Sequence, residues 1–251
     1  MSDNRFEDFF ADETYVLLKN LLYNYLLRKR AIGKCRRKMR EGPVLEVGSG
    51  LSPMVTDSAC IVYSELSFPA LRALKQRQGR GCFVAADAAL LPFKTGTFSQ
   101  VICSEVIEHL PEDGPALREM AAVLKTGGSL LITFPHRRDW FARDDSFVGH
   151  YRRYELRDMA DRLNEVGLHP LETQKVLGPL EKMTMLAVIS AVSFLQRFRS
   201  GKRAAGGGTP WRLITPLFKW LNRAYCVPVW LDARLSPRFL AAVLLVRAIK
   251  R

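Results

Sequence analysis

The 251-residue chain has only five cysteines, at positions 35, 60, 82, 103 and 226, with no Cys-x-x-Cys pair and no metal-ligand spacing. An odd count without a framework excludes a disulfide scaffold and points to a reducing compartment. A basic, apolar leader is also lacking, because residues 1–12 are polar and acidic, so no secretory signal is expected. No long hydrophobic run is present either. The longest uncharged apolar stretch, residues 183–195, falls short of the ~20 residues needed to span a bilayer. There is no internal repeat, and the single low-complexity stretch, residues 200–208, reads as a flexible loop. With 48% hydrophobic and 25% charged residues, a disordered chain and a heptad rod are excluded.

Acid is scarce in the flanks. Residues 1–41 hold ten basic and six acidic side chains, and residues 197–251 hold twelve basic ones against Asp232 alone. The body between them, residues 42–196, has 16 basic and 18 acidic side chains. A near-neutral body with basic flanks calls for an anionic partner: nucleic acid, an acidic substrate or a membrane surface.

Tyr15, Leu18, Leu21, Leu22, Tyr25 and Leu26 recur at helical spacing, which predicts one long helix over residues 12–40 with a basic second half. Gly42-Pro43 ends it. Short apolar runs follow at residues 44–47, 59–63, 82–85, 101–103 and 130–134, with helical stretches at 68–78, 114–125 and 155–166. Strands alternating with helices imply a parallel sheet covered on both faces. Residues 171–176 and 239–246 would add two final strands. Cys60, Cys82 and Cys103 fall in these runs and are expected to be buried apolar residues.

In an open α/β sheet, ligands bind beyond the carboxyl ends of the strands. There the sequence places Glu46-Val47-Gly48-Ser49-Gly50, then Glu65, then Asp87, then Ser104-Glu105. Pro53 stands where a dinucleotide loop carries its third glycine, and converging carboxylates repel pyrophosphate. They suit a ligand with a positive centre, a ribose diol and an exocyclic amine, and glycines let the backbone approach it closely. S-adenosylmethionine is such a ligand.

Residues 44–50, 64–67, 87–93, 98–110 and 117–134, read in order, resemble the successive motifs of class I S-adenosylmethionine-dependent methyltransferases of the type 11 group. The resemblance covers about residues 43–176. It implies a Rossmann-like, doubly wound, seven-stranded, mostly parallel sheet with an antiparallel last strand. It implies an enzyme using S-adenosylmethionine as cofactor, with Glu46, Gly48 and Gly50 at its methionine end. Glu65 would serve the ribose, Asp87 and Ala88 the adenine, and Ser104 would join the cofactor contacts. The chain departs from the pattern at Ser52, where a third glycine is common, and at Ser99. The interval from Gly50 to Glu65 leaves little room for the usual first helix.

Glu105, Glu108 and His109 share one helical face, a spacing that suits a divalent ion completed by His136 or His150. The reading preferred is an acid at a helix start with a packed histidine, and no metal is expected. His136 and His150, in the loop after the fifth strand, are the candidate proton acceptors.

The chain thus divides into a basic N-terminal helix (1–41), a cofactor-binding core (42–177), an apolar and basic helical insertion (178–238) and a last strand with a basic tail (239–251). The insertion holds Trp211, Trp220 and Trp230, with Arg197, Arg199, Lys202, Arg203, Arg212, Lys219, Arg223 and Arg234 interleaved. Aromatics beside Lys and Arg suit a helix on an anionic bilayer or a lid over the acceptor. The expectation is a cytoplasmic methyltransferase, peripheral on the inner face of the membrane, acting on a small hydrophobic or lipid-like acceptor. Nucleic acid is not the partner expected. An RNA methyltransferase and a non-catalytic membrane scaffold are the alternatives.

Overall fold

The computed structural model describes residues 20–199 and 211–251. A seven-stranded sheet runs in the order β3-β2-β1-β4-β5-β7-β6. Its strands are β1 (Val44–Val47), β2 (Ile61–Glu65), β3 (Cys82–Ala85), β4 (Phe98–Ser104), β5 (Leu124–Pro135), β6 (Leu168–Leu177) and β7 (Val243–Lys250). β3, β2, β1, β4 and β5 are mutually parallel, and β7 is antiparallel to both β5 and β6. This is the sheet that the family resemblance implies.

Successive side chains of a strand point to opposite faces, and each central strand feeds two cores. Leu45, Val101, Leu130, Ile132, Leu244 and Val246 pack on one side. Val44, Ile102, Leu131, Val243 and Leu245 pack on the other. The first core is closed by α3 (Gly114–Val123) and α5 (Leu156–Glu165), through Leu117, Met120, Met159 and Leu163. The second is closed by α1 (Tyr23–Arg36), α2 (Phe68–Gln78) and α7 (Trp211–Leu235), through Ile32, Cys35, Leu71, Leu74 and Val229. α4 (Arg143–Phe147) and α6 (Pro179–Arg199) complete the helices described.

α2 has legible ends. The Ser67 side chain accepts from the Ala70 amide, Pro69 stands in the first turn, and Gly79 closes the helix at φ +62°. No helix follows β1, so residues 51–60 are irregular, as their length suggested. α1 occupies the neighbouring face instead and packs on β5, β6, β7 and α7.

The structure corrects several expectations. α1 ends at Arg36 rather than residue 40, and the part expected over residues 12–19 lies outside the described residues. β5 begins at Leu124, where the helix was expected to continue. Only Cys103 of the three strand cysteines is buried. Cys60 precedes β2, Cys82 opens the edge strand β3, and both are exposed. The insertion is helical, as two long helices, α6 and α7.

Candidate active site

The parallel register places the carboxyl ends of β1, β2, β3 and β4 along one edge of the sheet. The turn after β1 requires glycine. Gly48 has φ +67°, and a Cβ there would lie 2.4 Å from Val106 Cγ2, closer than real Cβ contacts allow. Its amide donates to the Ser64 carbonyl at 2.8 Å, which ties the turn to β2. The Gly50 amide donates to Glu65 Oε2 at 2.8 Å, and the Ser67 amide donates to Oε1 at 3.0 Å. Each Glu65 oxygen therefore keeps accepting capacity. Asp87, beyond β3, is exposed, and its Oδ1 accepts from the Ala89 amide at 2.9 Å. Ala88 packs partly on the first core. Ser104 shares a hydrogen bond of 2.9 Å with Thr133 at the end of β4.

Glu46 is the third residue of β1. Its side chain is buried, and its two oxygens accept from the Met54 and Val55 amides at 2.6 and 3.0 Å. It ties the loop after Gly50 to β1. Burial pushes its carboxyl up to about 7.

The residues present fit S-adenosylmethionine. A glycine turn that a Cβ would fill lies beside carboxylates at the ends of β2 and β3. The Ser49 and Ser52 hydroxyls in that loop are buried without a partner. Both can donate to a ligand that approaches the turn.

Beyond β5 the chain builds a buried ionic cluster that joins the following loop to α6. Asp145 Oδ1 accepts from Arg153 Nε at 2.8 Å and from His150 Nδ1 at 2.9 Å. Asp145 Oδ2 accepts from Lys182 Nζ at 2.8 Å. Lys182, on α6, also donates to both oxygens of Asp144, at 2.6 and 2.8 Å. Burial alone would raise the Asp145 carboxyl, but donation from His150, Arg153 and Lys182 holds it well below the usual range. With Nδ1 committed to Asp145, His150 Nε2 faces Glu108 Oε1 at 3.9 Å. The His109 ring meets His150 edge-on at 4.7 Å between centroids. Ligand-type atoms of Glu108, His109 and His150 lie within 4.8 Å of one another. Glu105, the other acid of that stretch, is turned away to Arg28.

His136 is not part of this group. It is buried, its Nδ1 lies 3.0 Å from the Ala241 carbonyl, and its Nε2 lies 3.5 Å from Glu155. Burial lowers its pKa. Asp145, Arg153, Lys182 and Arg28 were not singled out from the sequence. The signal available for Lys182 was its place beside Glu181 at the head of the apolar stretch 183–195.

The buried acids make stability depend on pH in an unusual direction. Burial raises both Glu46 and Glu181 to about 7, so the folded chain binds more protons than the unfolded one between about pH 4.5 and 7. Their contribution is complete below the unfolded value near 4.5 and is lost as pH rises through 7. The melting temperature should therefore fall from pH 5.5 to pH 8, and Glu181→Gln should flatten that fall. A pH series of thermal melts reads this directly, and parallel curves for the two proteins would refute it.

Residues 45–132 match the family model described as a methyltransferase domain. A demethylmenaquinone methyltransferase from Streptomyces griseus is 27% identical over 148 residues, covering 57% of this chain and 63% of that protein. A malonyl-acyl-carrier-protein O-methyltransferase from Legionella pneumophila is 35% identical over 78 residues, covering 30% of this chain and 28% of that protein. The chain thus spans less than two thirds of the length of these curated relatives. Among solved structures, an S-adenosylmethionine-dependent methyltransferase from Thermotoga maritima aligns with a TM-score of 0.61 at 16% identity, over 98% of both chains. Phosphoethanolamine N-methyltransferase 2 of Haemonchus contortus, solved with S-adenosylmethionine, aligns with a TM-score of 0.58 at 16% identity, over 98% of this chain and 60% of that one. At such identities the structures speak for the fold.

Proposed function

This chain carries a class I S-adenosylmethionine-dependent methyltransferase domain, and from that premise we propose that it methylates a small, hydrophobic, lipid-like acceptor at a membrane surface. The observation that carries the proposal is the convergence of the Gly48–Gly50 turn, Glu65 and Asp87 at the carboxyl ends of adjacent strands. When bound, the cofactor supplies an electrophilic methyl on a sulfonium sulfur. Glu65 accepts from the ribose hydroxyls and Asp87 from the adenine amine, while the glycine turn leaves space for the methionine end. Positioning the acceptor in line and excluding water supply most of the rate. For a hydroxyl acceptor, His150 is the candidate proton acceptor, its Nδ1 held by Asp145 and its Nε2 facing Glu108. His136 has a supporting role through Ala241 and Glu155.

Support for an apolar acceptor comes from a cavity of about 410 Å³ between the loop after β5 and α6. Trp140, Phe141, Ala142, Pro179, Met183 and Leu186 line it, with Lys182 and Asp139 at its polar margin. It is an open depression rather than an enclosed pocket, and its mostly apolar lining favours an apolar group over a charged one. The likeness to demethylmenaquinone methyltransferases points the same way. The direct test is transfer of labelled methyl from S-adenosylmethionine into a total lipid extract. Label confined to RNA or protein would overturn the acceptor class.

The membrane reading rests on α7. Leu217, Trp220, Leu221, Val227, Leu231 and Leu235 recur at helical spacing and are all exposed, an apolar stripe without a partner among the described residues. Lys219, Arg223 and Arg234 flank it and are exposed too. No helix among the described residues is long and apolar enough to cross a membrane. Such a stripe suits a helix lying in the interface of an anionic bilayer. The other residues chosen from the sequence, Arg197, Arg199, Lys202, Arg203, Arg212 and Trp211, lie outside the described side chains. In vesicle flotation, the protein should float with anionic vesicles at low salt and less as salt rises, since screening acts over about 8 Å. Trp220→Ser should weaken binding to neutral vesicles as well. Protein that stays at the bottom of the gradient with anionic vesicles at low salt refutes the reading.

A further inference from the structure

Arg28 lies outside the matched domain and belongs, by sequence, to the basic run of the N-terminal helix. Unlike Arg30 in the same run, it is not exposed. Its side chain is 13% exposed, and its Nη1 lies 3.3 Å from Oε2 of Glu105, which is 16% exposed. The pair engages one guanidinium nitrogen and one carboxylate oxygen. Arg28 Nε and Glu105 Oε1 are both buried without a partner.

The pair stands over the glycine turn. Val106, next to Glu105, is the residue that abuts Gly48. Tyr25, one turn before Arg28, donates its hydroxyl to the Pro53 carbonyl at 2.9 Å, and Lys29 donates to the same oxygen at 3.0 Å. α1 is thereby pinned across the loop that follows Gly50. Glu105 is held at φ +55°, a strained conformation for a non-glycine residue, of a kind that clusters at ligand sites. A positive and a negative group, side by side and each with a spare buried atom, complement a ligand carrying both charges.

We propose that Arg28 binds the carboxylate, and Glu105 the ammonium, of the amino-acid end of the cofactor, so that α1 completes the cofactor site. The inference rests on the cofactor reading above, and the ligands chosen separate the two. S-adenosylhomocysteine carries the amino-acid end, and 5′-methylthioadenosine lacks it while keeping the adenine and ribose. In titration calorimetry, Arg28→Ala should weaken S-adenosylhomocysteine roughly 10- to 100-fold, as loss of a charged hydrogen-bond partner does. It should leave 5′-methylthioadenosine within about twofold of wild type. Glu105→Gln should show the same selectivity. Arg28→Lys, which keeps the charge but loses the planar fork, should fall between. Thermal melts without ligand verify that each variant is folded. Unchanged S-adenosylhomocysteine affinity in Arg28→Ala overturns the proposal, as does an equal loss for both ligands, which would mark a structural effect. A wild-type protein that binds neither ligand overturns the cofactor reading itself.

Discussion

Replacing Asp145 by alanine is expected to cost about 3–5 kcal/mol of folding stability, the range for removing one partner of a buried ion pair. The side chain is 1% exposed. It accepts from His150, Arg153, Lys182 and the Ala142 amide, at distances of 2.8 to 3.0 Å. Without it, two buried cations must share Asp144, whose contact with Arg153 is 3.9 Å. For a chain of this size the melting temperature should drop on the order of 10 °C. Asp145→Asn should fall short of that, because an amide oxygen still accepts while the charge is lost. Because its carboxyl is depressed in the fold, this contribution is full above the unfolded value near 4 and fades only in stronger acid. It is therefore constant across the window in which Glu46 and Glu181 act. Chemical denaturation at pH 7 gives the comparison, and a loss under 1 kcal/mol would show that the network does not hold α6 to the core.

Glu65→Ala should weaken S-adenosylhomocysteine binding by roughly 10- to 100-fold, corresponding to about 1.5–3 kcal/mol for hydrogen bonds to a charged group. Two losses combine in this variant. The proposed ribose acceptor disappears, and the Gly50 amide loses the oxygen that holds the turn against β2. Glu65 is only half-buried, so unfolding should change far less than binding. The Glu65→Gln variant keeps one acceptor oxygen and should retain part of the affinity. Calorimetry showing wild-type affinity for Glu65→Ala would remove Glu65 from the cofactor site.

The sheet was legible because each central strand is a short apolar run between turn residues, and the helix ends of α2 are marked by Ser67, Pro69 and Gly79. The start of β5 was not, because 114–125 keeps an apolar helical rhythm while the backbone turns extended at Leu124 (φ −72°, ψ 139°). Cys82 reads as apolar by composition, yet β3 is an edge strand and leaves it exposed. In the site, the order of Gly48, Glu65 and Asp87 along the chain was readable because parallel strands end on one side. The use of Glu46 was not, since its partners come from an irregular loop with no period. Arg28 could have been found. It lies four and seven residues before Ile32 and Cys35, both buried, so a helical wheel places it on the inward stripe rather than among the solvated bases.

β7 occupies an interior place in the sheet, between β5 and β6, although it comes later in the chain than either. β5 ends at Pro135 and β7 begins at Val243. A ribosome adding about 5–20 residues per second needs roughly 5–20 s to make the intervening chain. During that time the outer edge of β5 has no neighbour and β6 has nothing to pair with. The pairings that close the sheet are therefore its most non-local ones, the kind that lower folding rates. An unpaired β5 edge is the surface most open to wrong pairing in the nascent chain. Loss of the final strand would leave β6 detached as well, so the full seven-stranded pairing is available only once synthesis has passed β7.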